Sequence, residues 1–148
     1  MKIKNEVKIT LMSKSANESF ARVAIAAFAA QLDPTLEEIA DIKTAVSEAV
    51  TNCIVHAYKD TVGSINMVAR LLEDNVLYIR IKDKGCGITD IKQAMEPMFT
   101  TSESEERAGL GFAVMESFMD KLKVTSRVGR GTTVTMRKKS TARPKNDG

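Results

Sequence analysis

Alternation of apolar and polar side chains predicts five strands along the chain. Residues 3–12 alternate in this way and predict a first β-strand. The same period of two runs over residues 65–71 and 77–81, on either side of a polar turn at residues 73–75. These two segments predict an amphipathic hairpin with one apolar face. A second hairpin is predicted near the C-terminus, with its turn at residues 129–131.

Two helices are predicted between the first strand and the first hairpin. The earlier one covers about residues 16–31 and is rich in alanine, which favours a helix. The later one covers about residues 36–57. Each begins at a predicted capping box, in which a Ser or Thr and a Glu three residues later satisfy free backbone N–H groups: Ser15 with Glu18, and Thr35 with Glu38.

The order of these elements indicates the fold class. A polar, irregular stretch at about 84–108 separates the first hairpin from a third predicted helix at about 110–120. Two antiparallel hairpins with one apolar face each are typical of an α+β sandwich of two layers, in which a mixed, mostly antiparallel sheet carries helices on one face. We expect a single domain over residues 1–136, with residues 137–148 forming the end of the last strand and a basic tail.

Composition excludes several classes of protein. The chain has 148 residues, of which 43% are hydrophobic and 28% are charged, as in an ordinary folded domain. Two cysteines, one histidine and no CxxC pair argue against a zinc site or a structural disulfide. The longest uncharged run, residues 23–32, is too short to span a bilayer. We therefore expect a cytoplasmic protein with no membrane partner.

The positive net charge of +3 is concentrated at the C-terminus. Residues 137–148 hold five basic and one acidic side chain, which leaves seventeen basic and eighteen acidic side chains in residues 1–136. A near-neutral body argues against direct binding of nucleic acid, because such proteins usually present a basic face. The tail is expected to be a solvated end.

Three polar residues of the second helix, Glu48, Asn52 and His56, follow one another at intervals of four. On an α-helix this spacing places them along one slanting line. One interpretation is simply the polar face of an amphipathic helix. The functional interpretation assigns Glu48 as a general base and gives the amide oxygen of Asn52 to Mg²⁺.

Asp83 shares the parity of the apolar positions of its strand, so its carboxylate is expected to point inward. Burial of a carboxylate is costly unless a partner binds it. Gly85 and Gly87 follow at once and either leave room for a ligand or supply a positive φ. The pattern indicates either a capped glycine turn or a carboxylate that accepts a hydrogen bond from the amino group of a base.

Further along the chain, Gly109 and Gly111 precede the third predicted helix. A helix N-terminus offers free N–H groups to a phosphate, and Arg107 would add positive charge there. Thr132 shares parity with Val134 in the last strand, so its hydroxyl is expected to face inward and to need a partner. Each of these features has an ordinary structural explanation when it is taken alone.

The order of these motifs, ExxxN, DxGxG, GLG and GTT, resembles the GHKL family of ATP-binding domains. No GxxxxGK[ST] motif is present, and the eukaryotic protein-kinase motifs HRD and DFG are absent. The resemblance implies ATP or ADP as ligand, Glu48 as general base and Asn52 as Mg²⁺ ligand. It also implies that Asp83 binds adenine. The nucleotide-contact positions it implies are Asn52, His56, Gly85, Gly87, Thr100, Thr101, Gly109, Gly111 and Thr132.

One position departs from the family pattern. Many members have GxGLG, whereas this chain has Arg107 at the first glycine. A lid hinge with one glycine fewer is expected to be stiffer, and Arg107 becomes a candidate ligand of the β- or γ-phosphate.

The segments NESFAR, LDPT and SEAVTN and a short lid containing FTT resemble, more narrowly, the bacterial anti-sigma factor serine kinases of sporulation. This implies a homodimer that inhibits a sigma factor and phosphorylates an anti-anti-sigma factor on serine. Arg22, a lone basic residue in the alanine-rich helix, is a candidate partner contact. Two alternatives remain, a sigma-binding protein that uses ATP only as a switch and a detached catalytic module of a histidine kinase.

Overall fold

The computed structural model describes residues 1–88 and 103–141, with the backbone alone for 103–109. In these ranges the strands and helices follow the predicted order. They are β1 (Ile3–Met12), α1 (Ala16–Ala29), a 3₁₀ turn (Ala30–Leu32), α2 (Leu36–Asn52), a π-helical turn (Cys53–Ala57), β2 (Ser64–Leu72), a 3₁₀ turn (Glu73–Asn75), β3 (Val76–Asp83), α3 (Glu103–Phe118), β4 (Lys121–Arg127) and β5 (Gly131–Lys139).

The five strands form one sheet in the order β1-β2-β3-β5-β4. Every adjacent pair is antiparallel. Alternation along each strand gives the sheet two different faces, as the sequence predicts. On the inner face Met67 lies opposite Ile81 and Ile79 lies opposite Met136, and all four are buried.

The helices cover this inner face, which confirms the α+β sandwich of two layers. α1 packs against α2, and α2 packs against α3. Ile25 of α1, Val46 and Val50 of α2, and Phe112 and Met115 of α3 are 0–2% exposed and form one core with the inner face of the sheet. Within the described residues no helix is long and apolar enough to cross a membrane.

The capping box at the start of α2 is confirmed. The Thr35 hydroxyl accepts the N–H of Glu38 at 3.1 Å, and the Glu38 carboxylate accepts the N–H of Thr35 at 2.8 Å. The other oxygen of Glu38 accepts the N–H of Thr141 at 2.9 Å. Glu38 is therefore buried and joins the start of α2 to the end of the last strand.

The capping box predicted at the start of α1 is wrong. Ser15 has a helical backbone conformation and makes no side-chain cap. The Glu18 carboxylate instead accepts the Ser47 hydroxyl of α2 at 2.6 Å and lies 3.2 Å from the guanidinium of Arg22. The Glu18 carboxylate is thus bound by side chains and not by the backbone N–H of Ser15, and its contact with Ser47 joins α1 to α2.

The third helix starts earlier than predicted, at Glu103 rather than near residue 110. Gly109 and Gly111 therefore lie inside α3, and neither lies at its N-terminus. Residues 103–108 read ESEERA, which combines good helix formers with acidic residues that favour a helix N-terminus. The two glycines weaken a helix but did not prevent one here.

The predicted α-helix over 36–57 also changes its geometry near its end. After Asn52 the chain continues as a π-helical turn, in which the N–H of Tyr58 donates to the carbonyl of Cys53 at 3.2 Å. The wider turn changes the angular spacing of side chains. His56 lies in this turn, so the spacing of a regular α-helix does not apply to it, and its alignment with Glu48 and Asn52 stays a prediction.

We expect Glu38→Gln to lower the free energy of unfolding at neutral pH by about 1–2 kcal/mol, because an amide cannot accept both backbone N–H groups. Burial acts to raise the pKa of Glu38, but the N–H groups of Thr35 and Thr141 outweigh burial and hold this pKa below its usual value. The stabilisation is thus fully present above the unfolded-state pKa and is lost as the pH falls through the lowered folded-state pKa.

Urea unfolding of wild type and variant across this pH range measures the effect. Glu37→Gln is the matched control, because Glu37 is the exposed neighbour in the same first turn. A difference between wild type and Glu38→Gln that stays constant down to acidic pH would contradict the assignment.

Candidate functional site

A buried carboxylate, Asp83, occupies the end of β3 at the sheet's inner face. It is 5% exposed, which confirms the inward orientation predicted from parity. Its Oδ1 accepts two backbone N–H groups, from Gly85 at 2.9 Å and from Thr132 at 3.1 Å. Its Oδ2 lies 3.5 Å from the Sγ of Cys53, which donates to it. Asp83 therefore joins β3, the glycine loop, β5 and the end of α2.

The two oxygens of Asp83 differ in what they can still accept. Oδ1 holds two N–H donors, whereas among the described residues the donor to Oδ2 is a thiol, which is a weak one. Burial, followed by the negative charge of Asp83, raises the pKa of Cys53 well above its usual value, so the thiol stays protonated and donates. Oδ2 is thus the oxygen with capacity left for the amino group of a ligand.

Cys53 was missed as a partner of Asp83 by sequence reasoning. Its position in the apolar stripe of α2 predicts a core residue, and it is indeed buried. Sequence offers no signal for its contact with a residue thirty positions away. Only the packing of the π-helical turn against β3 brings the two side chains together.

The loop after β3 packs its backbone directly against other backbone segments. A Cβ on Gly85 would lie 2.3 Å from the carbonyl oxygen of Ala57, and one on Gly87 would lie 2.2 Å from that of Arg127. Gly87 also has a φ of +78°, which side chains rarely adopt. Both glycines are therefore required by the fold itself, and they anchor the Asp83 loop between α2 and the β4–β5 turn.

Glu48 and Asn52 lie together against α3. A Cβ on Gly111 would lie 3.1 Å from Oε2 of Glu48 and 3.2 Å from the amide atoms of Asn52. The absence of a side chain at Gly111 thus lets α3 pack directly against the carboxylate and the amide. Gly111 costs α3 helical stability of about 1 kcal/mol relative to alanine, and this close approach is the physical reason for it.

The amide of Asn52 has an unused hydrogen-bonding atom. Its Nδ2 is buried and has no hydrogen-bond partner among the described residues. A buried polar atom of this kind is uncommon and costs free energy. The O and N atoms of an amide are assigned from the hydrogen bonds around them. Because the Nδ2 position has no such bond, a rotation of the amide by 180° would place the oxygen there at no cost in hydrogen bonds.

Thr132 faces inward, as predicted, and its hydroxyl has a partner. Its Oγ1 lies 2.8 Å from Oγ of Ser126 in β4. Ser126 also accepts the N–H of Ile88 at 2.8 Å, which ties the glycine loop to the second hairpin. Sequence reasoning missed Ser126, although it shares the inward parity of Leu122 and Val124 and could have been found by the argument that found Asp83.

Two predicted site residues are only partly placed at this centre. His56 is half-buried in the π-helical turn, and its carbonyl accepts the thiol of Cys86 at 3.3 Å. Arg22 pairs within its own helix with Glu18 at 3.2 Å, but the two groups are not aligned for a hydrogen bond. Thr100 and Thr101 lie outside the described residues, as do the side chain of Arg107 and the surroundings of Gly109.

The donor set fits Mg²⁺ held partly by a nucleotide. Asn52 and Glu48 offer hard oxygen atoms that lie together against Gly111. No three His, Cys, Asp or Glu side chains in residues 1–88 and 103–141 form a metal-binding cluster. One or two protein oxygens suit an ion that keeps phosphate and water oxygens as its other ligands.

Comparison with known proteins agrees with this geometry. Residues 12–138 match the family described as the histidine kinase-like ATPase domain. An anti-sigma F factor of Caldanaerobacter subterraneus subsp. tengcongensis is 59% identical over 138 residues, or 93% of this chain and 96% of that protein. An anti-sigma F factor of Clostridium acetobutylicum is 52% identical over 137 residues, or 93% and 95%.

Solved structures share the fold at lower identity. The RsbU and RsbW domains of Rv1364c from Mycobacterium tuberculosis match 93% of this chain and 32% of that chain, with a TM-score of 0.68 and 23% identity. The histidine kinase domain of the Erythrobacter litoralis EL346 blue-light activated histidine kinase matches 81% and 59%, with a TM-score of 0.56 and 21% identity. These two structures show a shared fold. The family match and the identities of 59% and 52% establish that the chain belongs to the anti-sigma F factors within the histidine kinase-like ATPase family.

Proposed function

We propose that this protein binds and inhibits a sigma factor of the F type and phosphorylates an anti-anti-sigma factor on serine with Mg²⁺ and ATP. Its membership of the anti-sigma F factors supports the sigma partner. Its kinase-type ATPase domain supports the use of ATP. The observation that carries the transfer reaction is the carboxylate of Glu48 beside the amide of Asn52, against the backbone of Gly111.

The nucleotide is proposed to bind with its base at Asp83 and its phosphates near α3. The amino group of adenine is a donor, and Oδ2 of Asp83 is the acceptor with remaining capacity. The phosphates would then extend toward Glu48 and Asn52. Mg²⁺, held by Asn52, would neutralise phosphate charge. In this arrangement α2 supplies both polar groups of the reacting end, and Cys53 follows them directly in the chain.

The proposed transfer needs one base. Glu48 orients the serine hydroxyl of the substrate protein and takes its proton as the new O–P bond forms. The bond between the γ-phosphorus and the bridging oxygen breaks, and ADP leaves with the electron pair of that bond. Such reactions depend mainly on positioning and on neutralisation of charge. A protein that only binds a sigma factor has no need of a carboxylate at this position.

We propose that the protein works as a homodimer and that Arg22 contacts a partner. Arg22 is partly exposed on α1, with 37% of its side-chain surface accessible. Its pairing with Glu18 holds the guanidinium near the surface without satisfying it by an aligned hydrogen bond. An arginine in this state can pair with a partner's carboxylate.

We expect Glu48→Ala to lower the rate of phosphoryl transfer by about 10²–10⁴-fold, with nucleotide affinity retained, because the base acts only in the chemical step. Transfer of label from γ-labelled ATP and binding of a fluorescent ATP analogue measure the two quantities. Glu37→Ala, an exposed acid of the same helix, is the control. Equal loss of binding and transfer would contradict a base role.

The acid stability of the phosphorylated product tests the alternative of a histidine kinase. An acid-labile phosphoprotein would identify a histidine kinase, whereas phosphoserine is acid-stable.

We expect Asp83→Asn to weaken ATP binding by about tenfold or more, because the amide oxygen would keep the two backbone donors and turn an NH₂ group toward the base. GTP, whose base presents an acceptor at that position, should lose less affinity. Titration with both nucleotides measures this change in preference. Asp60→Asn, at an exposed turn, is the control. Unchanged ATP affinity with an intact thermal melt would remove Asp83 from the site.

We expect Arg22→Ala to weaken binding of the cognate sigma factor by about tenfold, as loss of one arginine contact at an interface often does, with ATP affinity unchanged. Binding of purified sigma factor to the immobilised variant measures it. Lys43→Ala on α2 removes the same charge elsewhere on the helical layer. If both variants bind the sigma factor as tightly as wild type, Arg22 is not a contact.

A further inference from the structure

The face of the sheet opposite the helices is strongly basic. Side chains that alternate with the buried positions of the five strands all point to this face, which is called the outer face below. The strand register places nine basic side chains on it: Lys8, Arg70, Arg80, Lys82, Lys121, Lys123, Arg127, Arg137 and Lys139. Among the described residues of these strands, Glu6 is the only acidic side chain on the same face.

The near-neutral total charge of residues 1–136 suggested that the fold has no basic face, but the strand register produces one. The chain holds twenty-two basic and nineteen acidic side chains, so the outer face leaves thirteen basic and eighteen acidic ones for the rest. The excess of positive charge therefore lies on the outer face, and the rest of the chain is net acidic. Glu6 contacts Arg70 and Lys8, so the other seven cations have no carboxylate partner on that face among the strands described.

The centre of the outer face has the composition of a protein-binding surface. Arg70 and Arg137 lie over the ring of Tyr78, with their guanidinium carbons 5.2 Å and 5.5 Å from its centroid. Stacking on the ring orders both guanidinium groups. Tyrosine and arginine are the residue types most enriched among strong contacts at protein interfaces.

We propose that the outer face docks an acidic surface of a partner protein. A carboxylate pairs with a planar guanidinium group through two hydrogen bonds. Arg70 already pairs with Glu6, whereas Arg137, ordered on the ring of Tyr78, has no carboxylate partner on this face among the described strands. The lysines at the rim, including Lys82 and Lys123, would steer a negatively charged partner toward this centre. Lys82 and Lys123 are both exposed.

Other occupants fit this face less well. A second copy would bring nine cations against nine, which repel each other. A single nucleic-acid strand needs an aromatic ring to stack on, but Tyr78 is already covered by two arginines. The buried Val68 and Leu72 share the face with these cations, and such a mixture of apolar and basic groups is less polar than most nucleic-acid interfaces.

The test uses labelled poly-L-glutamate as the acidic probe and the full-length protein. The double variant Lys82→Gln with Lys123→Gln removes two outer-face charges, and we expect its Kd to rise about fivefold, since each exposed ion pair contributes about 0.5 kcal/mol. The matched control is Lys14→Gln with Lys59→Gln, which removes the same charge at exposed positions away from this face. ATP affinity and the thermal melt should be unchanged in both.

Four outcomes would overturn the proposal. The first is no binding of poly-L-glutamate at low salt. The second is equal weakening by both double variants, which would mean attraction by net charge alone. The third is tighter, Lys82- and Lys123-dependent binding of duplex DNA or of vesicles with anionic lipid, which would assign the face to a nucleic acid or a membrane. The fourth is a change of oligomeric state in the Lys82 and Lys123 variant, which would assign it to a second copy.

Discussion

The buried carboxylate of Asp83 is the constraint on which the site depends. A carboxylate that is 5% exposed is stable only if donors surround it, and here they come from three other parts of the chain. The N–H groups of Gly85 and Thr132 fix the glycine loop and the start of β5, and the thiol of Cys53 fixes the end of α2. Any substitution that disturbs one of these contacts therefore moves parts of the proposed nucleotide pocket together.

The same principle of close backbone packing explains the glycines around Asp83. Gly131 has a φ of +116°, and a Cβ there would lie 2.2 Å from the carbonyl oxygen of Asp83. Gly85 and Gly111 likewise permit contacts that a side chain would block. Their common role is to let backbone segments come close to the Asp83 carboxylate and to Glu48 and Asn52. In the proposed complex, Asp83 binds the base of the nucleotide, and the other two residues lie near its phosphates.

The two faces of the sheet differ in composition and in proposed role. The inner face is mostly apolar, and the buried polar side chains of Asp83 and Thr132 lie at one end of it. The outer face is basic, and two of its arginines, Arg70 and Arg137, lie over the ring of Tyr78. The period of two in each strand thus places the proposed nucleotide site and the proposed partner surface on opposite faces of the sheet.

Sequence by itself determined the strand pattern, the capping box at Thr35 and Glu38, the inward direction of Asp83 and Thr132, and the order of motifs that indicates the family. These depend on residues close together in the chain, or on periodicity, and so are readable without coordinates. Tertiary structure alone decided that Glu18 binds Ser47 rather than capping α1, that α2 ends in a π-helical turn, and that Cys53 meets Asp83. It also decided that cations distributed over five strands form one face, because register between distant strands determines which side chains become neighbours.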